Sequence, residues 1–106
     1  MQTDRFRTGD LAWLRTAARD GEPVWGNIPG QSDELVLDAP AAVTIIRRAR
    51  CGDYSAFHRR NHIYLEGGQT LARHLSRQSW LVLIAGTTWL IKDKFLNKRR
   101  YKARTP

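Results

Sequence analysis

One cysteine, Cys51, stands among the 106 residues, which excludes an internal disulfide and any zinc site built from several thiolates. Prolines number four, and the eight glycines are scattered as turn residues; no P-loop, dinucleotide fingerprint or elbow serine occurs. Long apolar runs are missing too. The longest, Trp80 to Ile91, is broken by Gly86, Thr87 and Thr88 and falls short of the roughly 20 residues a spanning helix needs, so no membrane is expected as a partner. The opening Met1-Gln2-Thr3-Asp4-Arg5 is polar and leads into a strand-like segment, so a secretory leader is not expected and the cytoplasm is the expected setting. The last scarcity is negative charge: 10 Asp and Glu face 18 Lys and Arg, a formal net charge of +8.

What is present fits one small folded domain. The length lies within the usual domain range, and a 42% hydrophobic content is too high for global disorder. The charge is unevenly placed. Residues 1–46 hold four basic and seven acidic side chains, a net of −3, whereas residues 47–106 hold fourteen and three, a net of +11. Such asymmetry points toward a polyanionic partner, because clustered cations raise the local potential before any specific contact forms. Two clusters supply the excess. The first is Arg47, Arg48, Arg50, Arg59 and Arg60; the second runs through Lys92 and Lys94 to Lys98, Arg99, Arg100, Lys102 and Arg104, with Tyr101 among them. Cations with one interleaved aromatic suit phosphates plus one stacked base. A solvated tail kept soluble by its charge is the competing interpretation.

Periodicity divides the rest. Arg5 to Arg15, a Gly9-Asp10 turn followed by a short apolar stretch with Trp13, predicts a first strand. From Asp20 to Pro40 the turn residues Gly21, Pro23, Gly26, Asn27, Pro29 and Gly30 predict a long loop, with Glu34 to Leu37 as a possible short strand inside it. β-Branched Ala41 to Arg48 predicts a second strand, Cys51-Gly52-Asp53 a turn and His62 to Leu65 another strand. Leu71 and Leu75, four apart, predict a short helix over Thr70 to Gln78. Trp80 to Ile84 and Thr88 to Ile91, joined by Ala85-Gly86-Thr87, form the clearest signal, a β-hairpin. Lys92 to Leu96 then reads as a helical turn that returns Phe95 and Leu96 to the core.

Phe-x-x-Gly-Asp-Leu-x-Trp-Leu over Phe6 to Leu14, Val-Leu-Ile-x-Gly-x-x-Trp-Leu-Ile over Val82 to Ile91, and the following Phe95-Leu96 resemble small SH3-like barrel proteins of the kind common in bacteriophage genomes. The resemblance covers about a quarter of the chain. It implies a mainly β fold, an SH3-like barrel of five or six strongly bent strands, and a phage protein at work in the host cytoplasm. Residues 1–97 would form the barrel, with a helical insertion at about 53–78, and residues 98–106 a basic C-terminal tail. The fold alone implies no activity.

Few residues suggest catalysis. His58-x-x-x-His62 with Cys51 or His74 could frame a three-ligand metal site, yet a second cysteine is missing and the flanking arginines would repel a cation. Cys51 has no paired base, and Asp20, Glu22, Asp33 and Glu34 sit in the expected loop. No catalytic residue, metal or cofactor is therefore expected. Trp13, Trp80 and Trp89 read as core. Trp25, in the Gly/Pro-rich stretch beside Ile28, reads either as an anchor tucked onto the barrel or as a recognition aromatic. Two functions follow. The leading one is a non-enzymatic module binding DNA or RNA through phosphates with Arg47, Arg48, Arg50, Arg59, Arg60, Lys98, Arg99, Arg100, Lys102 and Arg104, with Tyr101 stacking and no evident base readout. The alternative is a protein-binding or structural module, directed at an acidic, virion or host partner through Trp25 and Ile28.

Overall fold

The computed structural model of the chain describes residues 5–14, 24–31, 33–37, 42–54, 56 and 71–98. The described strands are β1 (Leu11–Leu14), β2 (Val24–Asn27), β3 (Glu34–Leu37), β4 (Ala42–Arg48), β5 (Ser79–Ile84), β6 (Thr87–Lys92) and β7 (Leu96–Asn97). One α-helix, α1 (Leu71–Arg77), and 3-10 turns at Cys51–Tyr54 and Asp93–Phe95 complete the described elements. The strands form one antiparallel sheet in the order β3-β2-β6-β5-β4-β1-β7.

The hairpin β5–β6 sits at its centre, and its apolar runs Trp80–Ile84 and Trp89–Ile91 suit strands with neighbours on both edges. Its register sorts the side chains. Trp80 opposes Ile91 and Val82 opposes Trp89, while Leu81 opposes Leu90 on the other face. The first set joins Phe6, Leu14, Val43, Ile45, Phe95 and Leu96 in the main core. The second set packs with Tyr54, Ala72 and Leu75, so α1 and the 3-10 turn at Cys51–Tyr54 cover that face. In β4 the register shifts between Ile45 and Arg47. Ile45 enters the main core and Ile46 packs with the second cluster by ordinary strand alternation, while the extra residue of the bulge brings Arg48 instead of Arg47 opposite Trp80.

The turn before β1 is closed by Asp10, whose carboxylate accepts the Arg7 N–H at 2.8 Å, with Gly9 at φ +90°. Gly9 N–H then donates to the Ile45 carbonyl and Ile45 N–H to the Asp10 carbonyl, which extends the β1–β4 ladder.

The hairpin, the helix within Thr70 to Gln78 and the turn that buries Phe95 and Leu96 match the sequence expectation. Trp80 is in the core, and Trp13 and Trp89 are half-buried. Asp20 to Pro40 does not remain a long loop. Val24–Asn27 and Glu34–Leu37 pair along their full length, and Gly26 and Asn27 also pair with Ile91 and Leu90 of β6. The feature read as a loop signal, Gly26, is a packing requirement: a Cβ there would lie 2.8 Å from Ile91 Cδ1, 2.9 Å from Leu37 Cδ1 and 3.1 Å from the Trp89 ring. With β2 and β7 added, the sheet has seven strands where five or six were expected. The expected strand at 62–65 lies outside the described residues, as does most of the insertion between Tyr54 and Leu71.

Candidate functional site

The site forms where four chain segments meet at one end of the central hairpin. Ser79 of β5 faces Lys92 of β6, and Arg48 of β4 faces Trp80. The turn after α1 brings Arg77 and Gln78 to this end, the 3-10 turn after β6 brings Asp93 and Lys94, and the N-terminal segment brings Arg5. Together these residues line an open cleft of about 570 Å³. Five cations and one carboxylate share it, so its formal charge is +4.

Asp93 organises the cleft. Its Oδ2 accepts the Trp80 indole N–H at 2.7 Å and its Oδ1 accepts Arg5 Nη1 at 2.6 Å. Its backbone N–H donates to the Gln78 carbonyl at 2.7 Å, which ties the turn after β6 to the turn after α1. Arg5 is held further by donating Nη2 to the Leu96 carbonyl at 2.8 Å and by lying 4.8 Å from the centre of the Phe6 ring. Phe6 in turn meets Trp80 edge-on at 5.4 Å. On the other side Arg48 stacks over Trp80 at 4.7 Å and donates to the Arg77 carbonyl at 3.0 Å, satisfying a carbonyl of the last turn of α1. Buried Trp80 is thus the floor, gripped by Arg48 on its face and Asp93 at its nitrogen.

The cleft cations are not equally committed. Arg5 and Arg48 are fixed by the contacts above, and Lys94 lies 4.9 Å over the Phe95 ring. Arg77 and Lys92 find no acceptor for their side chains among the described residues. Those two are the groups an incoming anion would meet unpaired.

A third arginine, outside the cleft, is spent on structure. Arg47 forms a two-pronged pair with Asp53, Nη1 at 2.8 Å and Nη2 at 3.0 Å, and Asp53 also accepts the Arg50 N–H at 2.8 Å. Burial pushes the Asp53 carboxyl up, but the Arg47 hydrogen bonds and the Arg50 N–H outweigh it and hold the group below the usual carboxylate range. The hydrogen bonds that Arg47 donates to Asp53 in turn raise Arg47 above its ordinary value. Tyr54, next in the chain, donates its hydroxyl to Ser79 Oγ at 2.8 Å, and burial pushes its phenol up to about 12.

Of the described residues assigned from sequence to phosphate contacts, only Arg48 lines the cleft. Arg47 is turned to Asp53, and Arg50 and Lys98 are exposed elsewhere. Arg59, Arg60, Arg99, Arg100, Tyr101, Lys102 and Arg104, together with His58 and His62, lie outside the described residues. Trp25 is half-buried on β2 and packs against the main core, and Ile28 is half-buried just after that strand. Cys51 is a free, exposed thiol, and no cluster of three metal-ligating side chains occurs among the described residues. Arg5 and Arg77 were missed, since neither belongs to the two basic clusters and each is far in sequence from the other cleft cations. Lys92 and Lys94 belonged to the second basic cluster but gave no sign of facing Arg48.

No family model matches the chain, and neither does any curated protein or solved structure. Among the described residues no helix is long and apolar enough to cross a membrane.

Proposed function

We propose that this protein is a non-enzymatic binding module that engages nucleic acid through its phosphates, with an SH3-like bend of the sheet presenting the cleft. The observation that supports it is the convergence of Arg5, Arg48, Arg77, Lys92 and Lys94 on one cleft whose single carboxylate is already bound to Arg5 and Trp80. Anions therefore meet excess positive charge, and Asp93 orders the wall instead of competing for it. The lining offers no bare aromatic face, because Trp80, Phe95 and Phe6 are buried beneath the cations, so phosphate rather than base is the group addressed.

Fluorescence polarisation with labelled single- and double-stranded DNA and RNA over a salt series tests this. For about four phosphate contacts the log–log salt slope should be near −3 on single strands, and Arg77→Gln with Lys92→Gln should flatten it by about two contacts. Salt-independent binding, or binding indifferent to both substitutions, refutes it.

A protein-binding role in a phage setting has one observation in its favour: β3 is a sheet edge, and Leu35 and Val36 on it are exposed. Such a contact would hold at high salt and be lost in Val36→Lys.

A further inference from the structure

Among the described residues, the cleft's cations surround a point and do not continue into a track. Apart from Lys92 at its end, the β5–β6 hairpin carries no charged residue, and neither do β1 and β2. Of the other described arginines and lysines, Arg47 is paired with Asp53 and Arg50 lies beyond it, at the 3-10 turn. Arg7 lies in the turn before β1, Arg73 on α1 and Lys98 after β7, and none of them lines the cleft. A strand laid across the described surface would therefore leave most of its phosphates over neutral side chains, whereas each phosphate of a backbone-tracking groove meets a cation of its own.

The donors make the same point. Arg77 offers five N–H groups and Lys92 three, none with an acceptor among the described residues. An internal phosphodiester brings one negative charge and two free oxygens. A terminal phosphomonoester brings a charge of about −1.5 to −2 at neutral pH and three strong acceptor oxygens. Placed among cations totalling +4 after Asp93 is counted, the denser group recovers more Coulomb energy and satisfies more donors.

We propose that the cleft recognises the terminal phosphate of a nucleic-acid strand, a phosphomonoester or oligophosphate end, in preference to internal backbone. This rests on the phosphate-binding role proposed above. Arg77 and Lys92 grip the terminal oxygens, while Arg48, fixed on Trp80, and Lys94 raise the potential around them.

The test uses the full chain and one single-stranded oligonucleotide sequence prepared with a 5′-hydroxyl, a 5′-monophosphate, a 3′-monophosphate or a 5′-triphosphate end, compared by polarisation at pH 7.5 and near-physiological salt. At least one phosphorylated end should bind about tenfold or more tightly than the hydroxyl end, given the extra charge held within a few ångströms of unpaired cations. The preference should vanish in Arg77→Gln with Lys92→Gln while thermal stability stays unchanged, because neither side chain has a partner to lose among the described residues. Equal binding of all four ends, with steep salt dependence, overturns end recognition and leaves backbone binding standing. Absence of binding to any of them overturns both. A free nucleoside triphosphate that competes as strongly as the triphosphorylated strand also overturns the proposal, by showing a small-anion site to which the strand contributes nothing.

Discussion

Replacing Asp93 with asparagine should separate what this residue does for the fold from what it does to the cleft. The carboxylate accepts the Trp80 indole at 2.7 Å and Arg5 at 2.6 Å. Asparagine keeps one acceptor oxygen and turns an NH2 group toward the other donor, so one of the two bonds must go. The indole bond matters more, because Trp80 is only 2% exposed; a hydrogen bond to a charged group contributes about 1.5–3 kcal/mol. The Arg5 pair, with side chains 41% and 31% exposed, is screened by solvent; such pairs are worth about 0–1 kcal/mol. A loss of about 2 kcal/mol is expected, or roughly 8–16 °C in Tm for a domain of this size. Anion binding should move the other way, since the cleft gains a unit of positive charge. A charge removed about 6–8 Å from a bound phosphate, at an effective dielectric of about 40–80, is worth roughly 0.5–1.4 kcal/mol, a two- to tenfold gain. Calorimetry gives the first quantity, and polarisation at a temperature where the variant is fully folded gives the second. An unchanged Tm would show that Asp93 does not hold Trp80 in solution. Weaker binding by a fully folded variant would show that orientation of Arg5 outweighs charge, and would refute net charge as the source of anion affinity.

Three further outcomes follow from single contacts. Tyr54 has its folded pKa raised from 10.0 to about 12, so the stability it contributes is complete below pH 10 and is lost as pH rises toward 12; over that window the loss approaches roughly 3 kcal/mol, and Tyr54→Phe should flatten this part of a pH–stability curve measured by urea denaturation. Asp53 has its folded pKa lowered, so its contribution is present above its ordinary value of 3.8 and fades as pH falls through the depressed one; in acid denaturation followed by tryptophan fluorescence, Asp53→Asn should be less stable than the parent at pH 7 and less sensitive to pH below 4. Ala85 holds φ +48° beside Gly86 at φ +83°, the pair of positive angles that two-residue hairpins fill with Asn-Gly; Ala85→Asn should stabilise by about 1 kcal/mol, and an unchanged or lower Tm would contradict that geometry.

How far the fold could be read from sequence depended on where each strand finds its partners. The β5–β6 hairpin was legible because its pairing is local and its apolar runs are long enough to show. The β2–β3 hairpin was hidden by its own constraint. Each strand is four residues long, and Gly26, which elsewhere signals a turn, is there because Ile91, Leu37 and Trp89 leave no room for a Cβ. That information resides in residues more than ten positions away. β7 is two residues long and exists only through its register with Trp13 and Leu14, which no local pattern could announce.

The site follows the same logic with a stronger consequence. Charge asymmetry identified the basic half of the chain, but density of cations along the sequence is a poor guide to density in space. Arg47 and Arg48 are adjacent, yet the alternation of β4 turns one to Asp53 and the other to Trp80. Arg5 and Asp93 are 88 positions apart and lie 2.6 Å from each other. What gathers the cleft is Trp80, whose nitrogen needs a buried acceptor and whose face attracts a guanidinium. Asp93 meets the first need and Arg48 the second, and each brings its neighbours: Asp93 brings Lys92, Lys94 and Arg5, while Arg48 draws in the end of α1 with Arg77. The positive charge of the cleft is therefore built onto a residue whose first role is packing. Substitutions at Trp80 should disperse the cations even where their own codons are untouched.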